Sequence, residues 1–279
     1  MTTLDKLVGL IADTSSSLPA DVEAALKRSL MRETRGSPAA AILDAIIENV
    51  HLARKTRQPL CQDTGMPTFY VDAGLRRKVT PDLLKRAVAA ATERGYLRRN
   101  CIDALTGASH DDNCADGAPI VHYVDWERPN RVTLLLKGGG CENMSRQYSL
   151  PDETLKAGRD LAGVETCILD AVRAARGFGC APGMLGVCIG GDRASAYEVA
   201  KEQFLRQLSP AGESTVRQLC MLEKSIVKKA NSLGIGPMGL GGATTLLGVR
   251  AAARPRVPAS YFVTVSYMCW ACRRRSVVL

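Results

Sequence analysis

Two runs of glycine constrain this fold more than any other feature of the sequence. Lys137 and the glycines at 138–140 follow an apolar segment with strand character, and the second run, at 234–242, precedes another apolar stretch. Glycine lets two backbones approach closely and lets φ take positive values. Both runs therefore predict either tight turns or backbone N–H groups that face a carboxylate or phosphate. Neither run has the GxGxxG or GxxxxGK(S/T) pattern in its usual context, which disfavours nucleotide binding.

Hydrophobic periodicity predicts helices and strands that do not alternate strictly. Apolar residues recur at helical spacing at 4–11 and 42–50, a helix begins near Pro19, and further helices are predicted at 81–93, 152–176, 194–208 and 212–230. Strands are predicted at 68–71, 120–124, 132–136, 184–189 and, as the last strand, 261–267. This mixture is typical of an α+β (mixed α/β) fold, a helix-rich domain around a small sheet. No composition shift marks a boundary, so we expect one domain over 1–279 with a helical portion at about 1–60.

Composition and charge argue against several classes of protein. Lys and Arg number 37 against 28 Asp and Glu, a formal charge of +9. The basic residues are scattered, and Phe and Trp are too few to stack on bases, so nucleic-acid binding is disfavoured. No stretch approaches the ~20 apolar residues of a membrane helix, and the first ten residues do not resemble a signal peptide. We expect a cytoplasmic protein with no nucleic-acid or membrane partner, in which part of the positive charge serves a small anion.

Ten cysteines are the most unusual part of the composition. In a chain without a targeting segment, cysteines are mostly thiols, metal ligands or catalytic groups. Cys61, Cys180 and Cys269 lie at predicted element edges, and thiolates are ligands for iron–sulfur clusters and zinc. Spacing alone leaves inert, buried thiols as the commoner alternative. Cys272 forms Cys-x-x-Cys with Cys269, which indicates a redox pair or half a zinc site, although the sequence has no second such pair.

Five segments taken together resemble one family. They are Cys-Gln-Asp-Thr-Gly at 61–65, Lys-Gly-Gly-Gly at 137–140 with Glu-Asn-Met-Ser at 142–145, Cys180 with the strand that ends in Gly190 and Gly191, Leu-Gly-Ile-Gly-Pro at 233–237, and Cys-Trp-Ala at 269–271. From about residue 40 onward the chain is similar to the class I (iron–sulfur) fumarate hydratases. It most resembles the α subunit of the two-subunit enzymes, which include tartrate dehydratase. The combination of segments is specific, although each one alone is not.

The resemblance implies a cofactor and a reaction. The cofactor is a [4Fe–4S] cluster held by Cys61, Cys180 and Cys269, with one iron left open. Removing water from a 2-hydroxy acid needs a Lewis acid at the hydroxyl and a base for the proton on the neighbouring carbon. The implied activity is that of a hydro-lyase on a C4 hydroxy-dicarboxylate, first of all malate and fumarate, with L-tartrate, which gives oxaloacetate, as the alternative.

The resemblance also implies residues that contact the substrate. Gln62 and Asp63 match catalytic residues that line the substrate in the family, and Gly138 and Gly139 offer backbone N–H groups. Arg98 matches an arginine that could pair with a substrate carboxylate, a bidentate geometry that suits its guanidinium. An exposed, solvated Arg98 remains the alternative.

Two departures from the family shape the remaining expectations. Many relatives carry histidine where this chain has Val257, so this chain lacks the side chain of that proton relay. Single-chain relatives continue beyond the position of Leu279 with a domain that carries the base. We therefore expect a separate β subunit that completes the active site, in an α2β2 or similar assembly. Two other hypotheses remain, a non-catalytic protein that keeps the fold and a zinc or nucleic-acid module.

Overall fold

The structure is a computed structural model that describes residues 2–126 and 129–279. Helices and strands are mixed along the chain, so the predicted α+β class is confirmed. The chain divides into two compact units. The first unit comprises the residues up to Pro19, Glu48–Gly139 and Arg273–Leu279, and the second comprises Ala20–Ile47 and Gly140–Cys272. The expectation of one domain over 1–279 stays a prediction.

The elements are numbered in chain order. The α-helices of the described residues are α1 (Thr3–Ser16), α2 (Ala20–Leu30), α3 (Pro38–Thr56), α4 (Pro81–Glu93), α5 (Gly139–Asn143), α6 (Leu161–Ala175), α7 (Arg193–Glu202) and α8 (Arg217–Asn231). The strands are β1 (Met66–Asp72), β2 (Cys101–Ile102), β3 (Ser109–His110), β4 (Ile120–Val124), β5 (Arg131–Lys137), β6 (Arg146–Ser149), β7 (Gly183–Gly190), β8 (Leu246–Arg254), β9 (Phe262–Met268) and β10 (Arg273–Val278).

Helix starts follow local capping chemistry. Thr80 and Pro81 begin α4 at the predicted position, with the threonine as cap and the proline in the first turn. The helix predicted over 152–176 is wrong in its first part. The Asp160 carboxylate caps α6 by accepting a hydrogen bond from the Gly163 N–H (2.7 Å), so the helix begins only at Leu161. The residues at 152–159 form turns instead of helix.

A four-stranded sheet with the order β10-β5-β1-β4 forms the first unit. β5 pairs antiparallel with both β10 and β1, and β1 pairs parallel with β4. The core combines apolar side chains of α1, α4 and these strands, among them Leu7, Ile11, Phe69, Leu84, Val88 and Leu134. Met66 lies opposite Lys137, and Arg273 lies opposite Leu136. The starts of β1 and β10 therefore meet the carboxyl end of β5.

A second four-stranded sheet, with the order β6-β9-β7-β8, forms the second unit. Strand β7, one of its two inner strands, is buried along its whole length, which explains why its sequence is apolar without alternation. One core combines strand residues with α6 and α8, among them Val164, Ile168, Leu185, Val187 and Ile226. A smaller cluster joins Cys188 to Ala196 and Ala200 of α7.

Some elements were not predicted. The fold has two four-stranded sheets rather than one small sheet. The segment 261–267 is not the last strand, because β10 follows it and pairs with β5. Three consecutive arginines at the start of β10 indicate a solvated surface, yet the first two are buried, and Arg273 almost fully so. Tertiary pairing here overrides the sequence pattern.

None of the helices among the described residues has the length and apolar character needed to cross a membrane.

Candidate functional site

The loop at 61–65 (Cys61-Gln62-Asp63-Thr64-Gly65), here called the 61–65 loop, leads into β1 of the first unit. Leu60, the residue before the loop, holds the start of the loop in place through its backbone. The Leu60 N–H donates to the Ser15 carbonyl (3.0 Å), and the Leu60 carbonyl accepts from Asn49 Nδ2 (2.9 Å). Both backbone groups of Leu60 are thereby satisfied inside the unit. Cys61 follows as a partly buried side chain, and Gln62 is exposed.

Two glycines let the 61–65 loop lie directly against the end of β5. Gly65 has a φ of 77°, and a Cβ there would lie 2.2 Å from the Lys137 carbonyl oxygen. A Cβ on Gly138 would lie 2.5 Å from Asp63 Oδ2. Only glycine fits these positions without displacing the backbone or the carboxylate. Gly138, in the first glycine run, thus lets the Asp63 carboxylate lie against the backbone.

Arg273, at the start of β10, is bonded to the same loop. Its side chain is 1% exposed, and Nη2 donates to the Asp63 carbonyl (2.8 Å). Lys137, at the end of β5, is a second buried cation at this end of the sheet. Sequence reasoning missed Arg273, because a run of arginines normally indicates surface. The available signal was its position only four residues after Cys269.

The backbone of Arg98 lies beside the 61–65 loop. Thr64 Oγ1 lies 3.5 Å from the Arg98 carbonyl, which also accepts a hydrogen bond from Asn113 Nδ2 (2.8 Å). Asn113 Oδ1 accepts from the N–H groups of Asn100 and Cys101 (both 3.0 Å). Asn113 is buried and has a positive φ, which asparagine tolerates. The Arg98 side chain is exposed, which leaves both of its predicted roles open.

Cys180 lies in the turn at 177–183, here called the 177–183 turn, between α6 and β7 of the second unit. The residue is exposed and has a φ of 53°. Its N–H donates to the Gly177 carbonyl (3.0 Å). Positive φ is uncommon for a residue with a side chain, so the surrounding packing must hold this turn in place.

The second glycine run, at 234–242, packs backbone to backbone on the 177–183 turn. The Met238 N–H donates to the Ala181 carbonyl (2.9 Å). A Cβ on Gly177 would lie 2.4 Å from the Met238 carbonyl oxygen. This run therefore also serves close approach, here to the turn that carries Cys180.

Tyr267, in β9, packs against the other side of the turn. A Cβ on Gly179 would lie 2.3 Å from Tyr267 Cε1, and a Cβ on Gly183 would lie 2.4 Å from the Tyr267 hydroxyl oxygen. The tyrosine is only 2% exposed. The turn is thus built around one aromatic ring, and its glycines leave the space that the ring occupies.

Cys269 follows the end of β9 and lies near two other thiols. Its N–H donates to Cys141 Sγ (3.3 Å), and the next residue, Trp270, donates its N–H to the Cys180 carbonyl (3.3 Å). Burial raises the pKa of Tyr267, and the neighbouring Cys269, Cys141 and Cys180 raise it further. The second unit therefore brings Cys180 and Cys269, two of the predicted ligands, into one neighbourhood.

The structure places the predicted site residues in two groups. The first unit holds Cys61, Gln62, Asp63, Arg98, Gly138 and Gly139, and the second unit holds Cys180 and Cys269. Among the described residues, no group of three or more His, Cys, Asp or Glu side chains is gathered as a single metal ion requires. In a cluster each iron takes its own thiolate, so three cluster ligands do not have to meet at one point. The roles assigned to these residues stay predictions.

Val257 occupies the position at which the resemblance leads us to expect histidine. It is 64% exposed and, with Arg254, Arg256 and Ser260, lines a cavity of about 570 Å³ within the second unit. An isopropyl side chain has no proton to exchange. This position therefore cannot perform acid–base chemistry in this chain.

The sequence matches known hydratases along nearly its whole length. The chain matches the family model described as Fumarate hydratase (Fumerase) over residues 5–278. It is 46% identical to a protein of Geobacillus stearothermophilus described as a class I fumarate hydratase, an alignment that covers 98% of this chain and 54% of that protein. Hydratases and dehydratases are hydro-lyases. The chain belongs to the fumarate hydratase family, so the resemblance predicted from the sequence is confirmed.

Relatives described as subunits match over most of their length. The chain is 33% identical to a protein of Methanocaldococcus jannaschii described as the alpha subunit of L(+)-tartrate dehydratase, across 97% of this chain and 95% of that one. It is 27% identical to the L(+)-tartrate dehydratase subunit alpha of Escherichia coli (strain K12), across 99% and 91%. The chain thus spans about half of the fumarate hydratase and nearly all of each alpha subunit.

Proposed function

We propose that this chain is the α subunit of an iron–sulfur hydro-lyase that reversibly hydrates a C4 dicarboxylate, with fumarate and malate as the substrate pair. The observation that carries the proposal is the 61–65 loop. The Asp63 carboxylate rests against Gly138, and the Asp63 carbonyl accepts a hydrogen bond from Arg273. A carboxylate fixed beside backbone N–H groups and buried cations suits acid–base chemistry on an anionic substrate.

As cofactor we propose a [4Fe–4S] cluster bound by Cys61, Cys180 and Cys269. The donor set fits, because the three thiols form no disulfide and each lies on a loop or strand end where it can face a ligand. When bound, the open iron supplies the Lewis acid for the substrate hydroxyl. Reduced thiols are typical of the cytoplasm, where we expect this protein to act.

The side chains of this chain then hold the substrate. The Asp63 carboxylate takes or gives a proton, and the exposed Gln62 amide donates to a substrate oxygen. Gly138 and Gly139, at the start of α5, direct backbone N–H groups to a carboxylate. The exposed Arg98 guanidinium suits bidentate binding of the second carboxylate.

A separate β subunit completes the proposed enzyme, as an α2β2 or similar assembly. Support comes from relatives that are described as alpha subunits. We propose no nucleic-acid or membrane partner.

L-tartrate is the second candidate substrate, with oxaloacetate as the product. The observation in its favour is that two of the relatives are described as alpha subunits of L(+)-tartrate dehydratase. Sequence identity favours fumarate, at 46% against 33%. We therefore keep malate and fumarate as the first proposal.

The cofactor proposal is tested on the anaerobically purified chain. We expect a brown protein with about four iron and four sulfide per chain, which oxygen bleaches. Cys61→Ser, Cys180→Ser and Cys269→Ser should each lose the cluster. Cys167→Ser is the matched control, because Cys167 is fully buried inside α6. A colourless protein with one bound zinc, or ligand variants that all keep their iron, would contradict the proposal.

The reaction is tested by co-expression with the presumed β subunit under anaerobic conditions. Malate, fumarate and both enantiomers of tartrate are then assayed with the cluster-loaded complex. Turnover of malate and fumarate supports the first proposal, and turnover of L-tartrate alone supports the second. A loaded complex that turns over none of them identifies a non-catalytic protein that keeps the fold.

A further inference from the structure

Arg273 has the largest fully buried side chain among the described residues. It is 1% exposed, although Arg275, two residues further along β10, is exposed. One nitrogen, Nη2, donates to the Asp63 carbonyl (2.8 Å). The other two, Nε and Nη1, are buried and have no hydrogen-bond partner within residues 2–126 and 129–279.

A guanidinium buried in this way is costly unless a group of opposite charge accompanies it. Guanidinium always carries its charge and has five N–H donors in a fixed plane. Burial of a charge is tolerated when the charge is paired and its donors are satisfied. One hydrogen bond to a neutral carbonyl does not meet that condition. The arrangement therefore points to an anionic group near the 61–65 loop.

The position of Arg273 in the sheet indicates where that group lies. Arg273 is opposite Leu136 on β5, and the next residue on β5 is the buried Lys137. Lys137 in turn is opposite Met66, the residue that follows the 61–65 loop. Arg273 and Lys137 are thus buried cations at the end of the sheet next to the 61–65 loop, and Arg274, which follows Arg273, is buried as well.

We propose that Arg273 is a positioning residue with two effects. Its guanidinium fixes the Asp63 carbonyl and so the course of the 61–65 loop, and its positive charge offsets the negative charge of the group that this loop binds. The second effect rests on the proposed function, because that group is the thiolate-ligated cluster. A nearby positive charge stabilises the reduced, more negative state of such a cluster and raises its reduction potential.

Hydrogen exchange of the apoprotein tests the positioning effect. The Asn100 amide, oriented as its neighbours require, accepts from the Thr64 N–H (3.2 Å), so exchange at Thr64 reports loop opening. Loss of a hydrogen bond from a charged donor should speed this exchange at least about tenfold in Arg273→Met. Arg273→Lys should speed it by less, and the matched control Arg275→Met should leave it unchanged. Equal exchange in parent and Arg273→Met overturns this effect.

The midpoint potential of the cluster tests the charge effect. Arg273→Met and Arg273→Gln should shift the potential to more negative values, while Arg273→Lys should keep the parent value. Arg275→Met should show no shift. If Arg273 acted only by holding the loop, Arg273→Lys would change the potential whenever it speeds exchange at Thr64. A parent potential together with faster exchange in Arg273→Lys therefore identifies an effect of charge. An unshifted potential in Arg273→Gln with full iron content overturns the charge effect.

These two measurements separate this proposal from the proposed function. If the parent binds no cluster, the charge effect fails together with the proposed function, and the exchange experiment still decides the positioning effect. If the parent binds the cluster and Arg273 variants match it in exchange and potential, only this proposal fails. Where Arg273→Met does not fold, as circular dichroism would reveal, Arg273→Lys and Arg273→Gln decide both points.

Discussion

The 61–65 loop and the 177–183 turn each carry a predicted cluster ligand, but they are held in place by different means. The loop of the first unit is fixed by hydrogen bonds to buried polar groups, above all from Arg273 and through Thr64. The turn of the second unit is held by close packing, because its glycines lie directly against the ring of Tyr267. We expect the loop to respond to changes in backbone contact and polar partners, and the turn to respond to changes in size.

Gly65→Ala should have the largest effect, because the clash is with backbone. The new Cβ would lie 2.2 Å from the Lys137 carbonyl oxygen at a φ of 77°. We expect the free energy of unfolding to fall by about 3 kcal/mol or more, from overpacking plus strain. The matched control is Gly95→Ala, with a φ of 76° and open space around it. It should lose about 1 kcal/mol from strain alone. Equal losses in urea denaturation would contradict the clash.

Asn113→Ala should come next, because it removes a buried polar connection beside the loop. Its side chain bonds to the backbone of Arg98, Asn100 and Cys101 and to the Thr92 hydroxyl. We expect a loss of about 2 kcal/mol in chemical denaturation, because buried groups are left unsatisfied. If the alanine variant is as stable as the parent, these hydrogen bonds do not contribute to stability.

Gly179→Ala should have a smaller effect, and one that a second substitution relieves. Its Cβ would lie 2.3 Å from Tyr267 Cε1, an overpacking that costs about 1–3 kcal/mol. Because the obstacle is a side chain, Tyr267→Leu should relieve part of the cost. A double-mutant cycle from thermal unfolding should show favourable coupling of about 1 kcal/mol. Strict additivity would mean that the ring does not define the turn.

The smallest effect concerns a cysteine that we assign to packing. Burial raises the pKa of Cys188 to about 11 from its ordinary 9.0. Below pH 9 the thiol is neutral in both states, and between 9 and 11 the unfolded chain ionises first. The free energy of unfolding should therefore fall as pH rises through this window. Cys188→Ala should flatten that fall in denaturation curves from pH 8 to 11. An unchanged slope would show that this thiol does not contribute.

The sequence predicted much of the local structure. The strand at Ile120–Val124 and the helix at Pro81–Glu93 have the predicted bounds, because alternation and capping residues act over short distances. The close approach that glycine permits occurs at both glycine runs. The predicted start of α6 was too early, because Asp160 caps the helix although the sequence before it also has a helical pattern. Local signals are reliable where nothing distant competes with them.

The predicted roles of Cys61, Cys180 and Cys269 came from resemblance, and the structure adds how their backbones are held. The sequence by itself determined the α+β class and the segments that place this chain in its family. Only the tertiary structure decided that Arg273 is buried and bonded to Asp63, since residues 210 positions apart in sequence meet there through strand pairing. The sequence pattern shows which side chains are apolar. It does not show which polar side chains become buried under another strand, because that depends on contacts between residues distant in sequence.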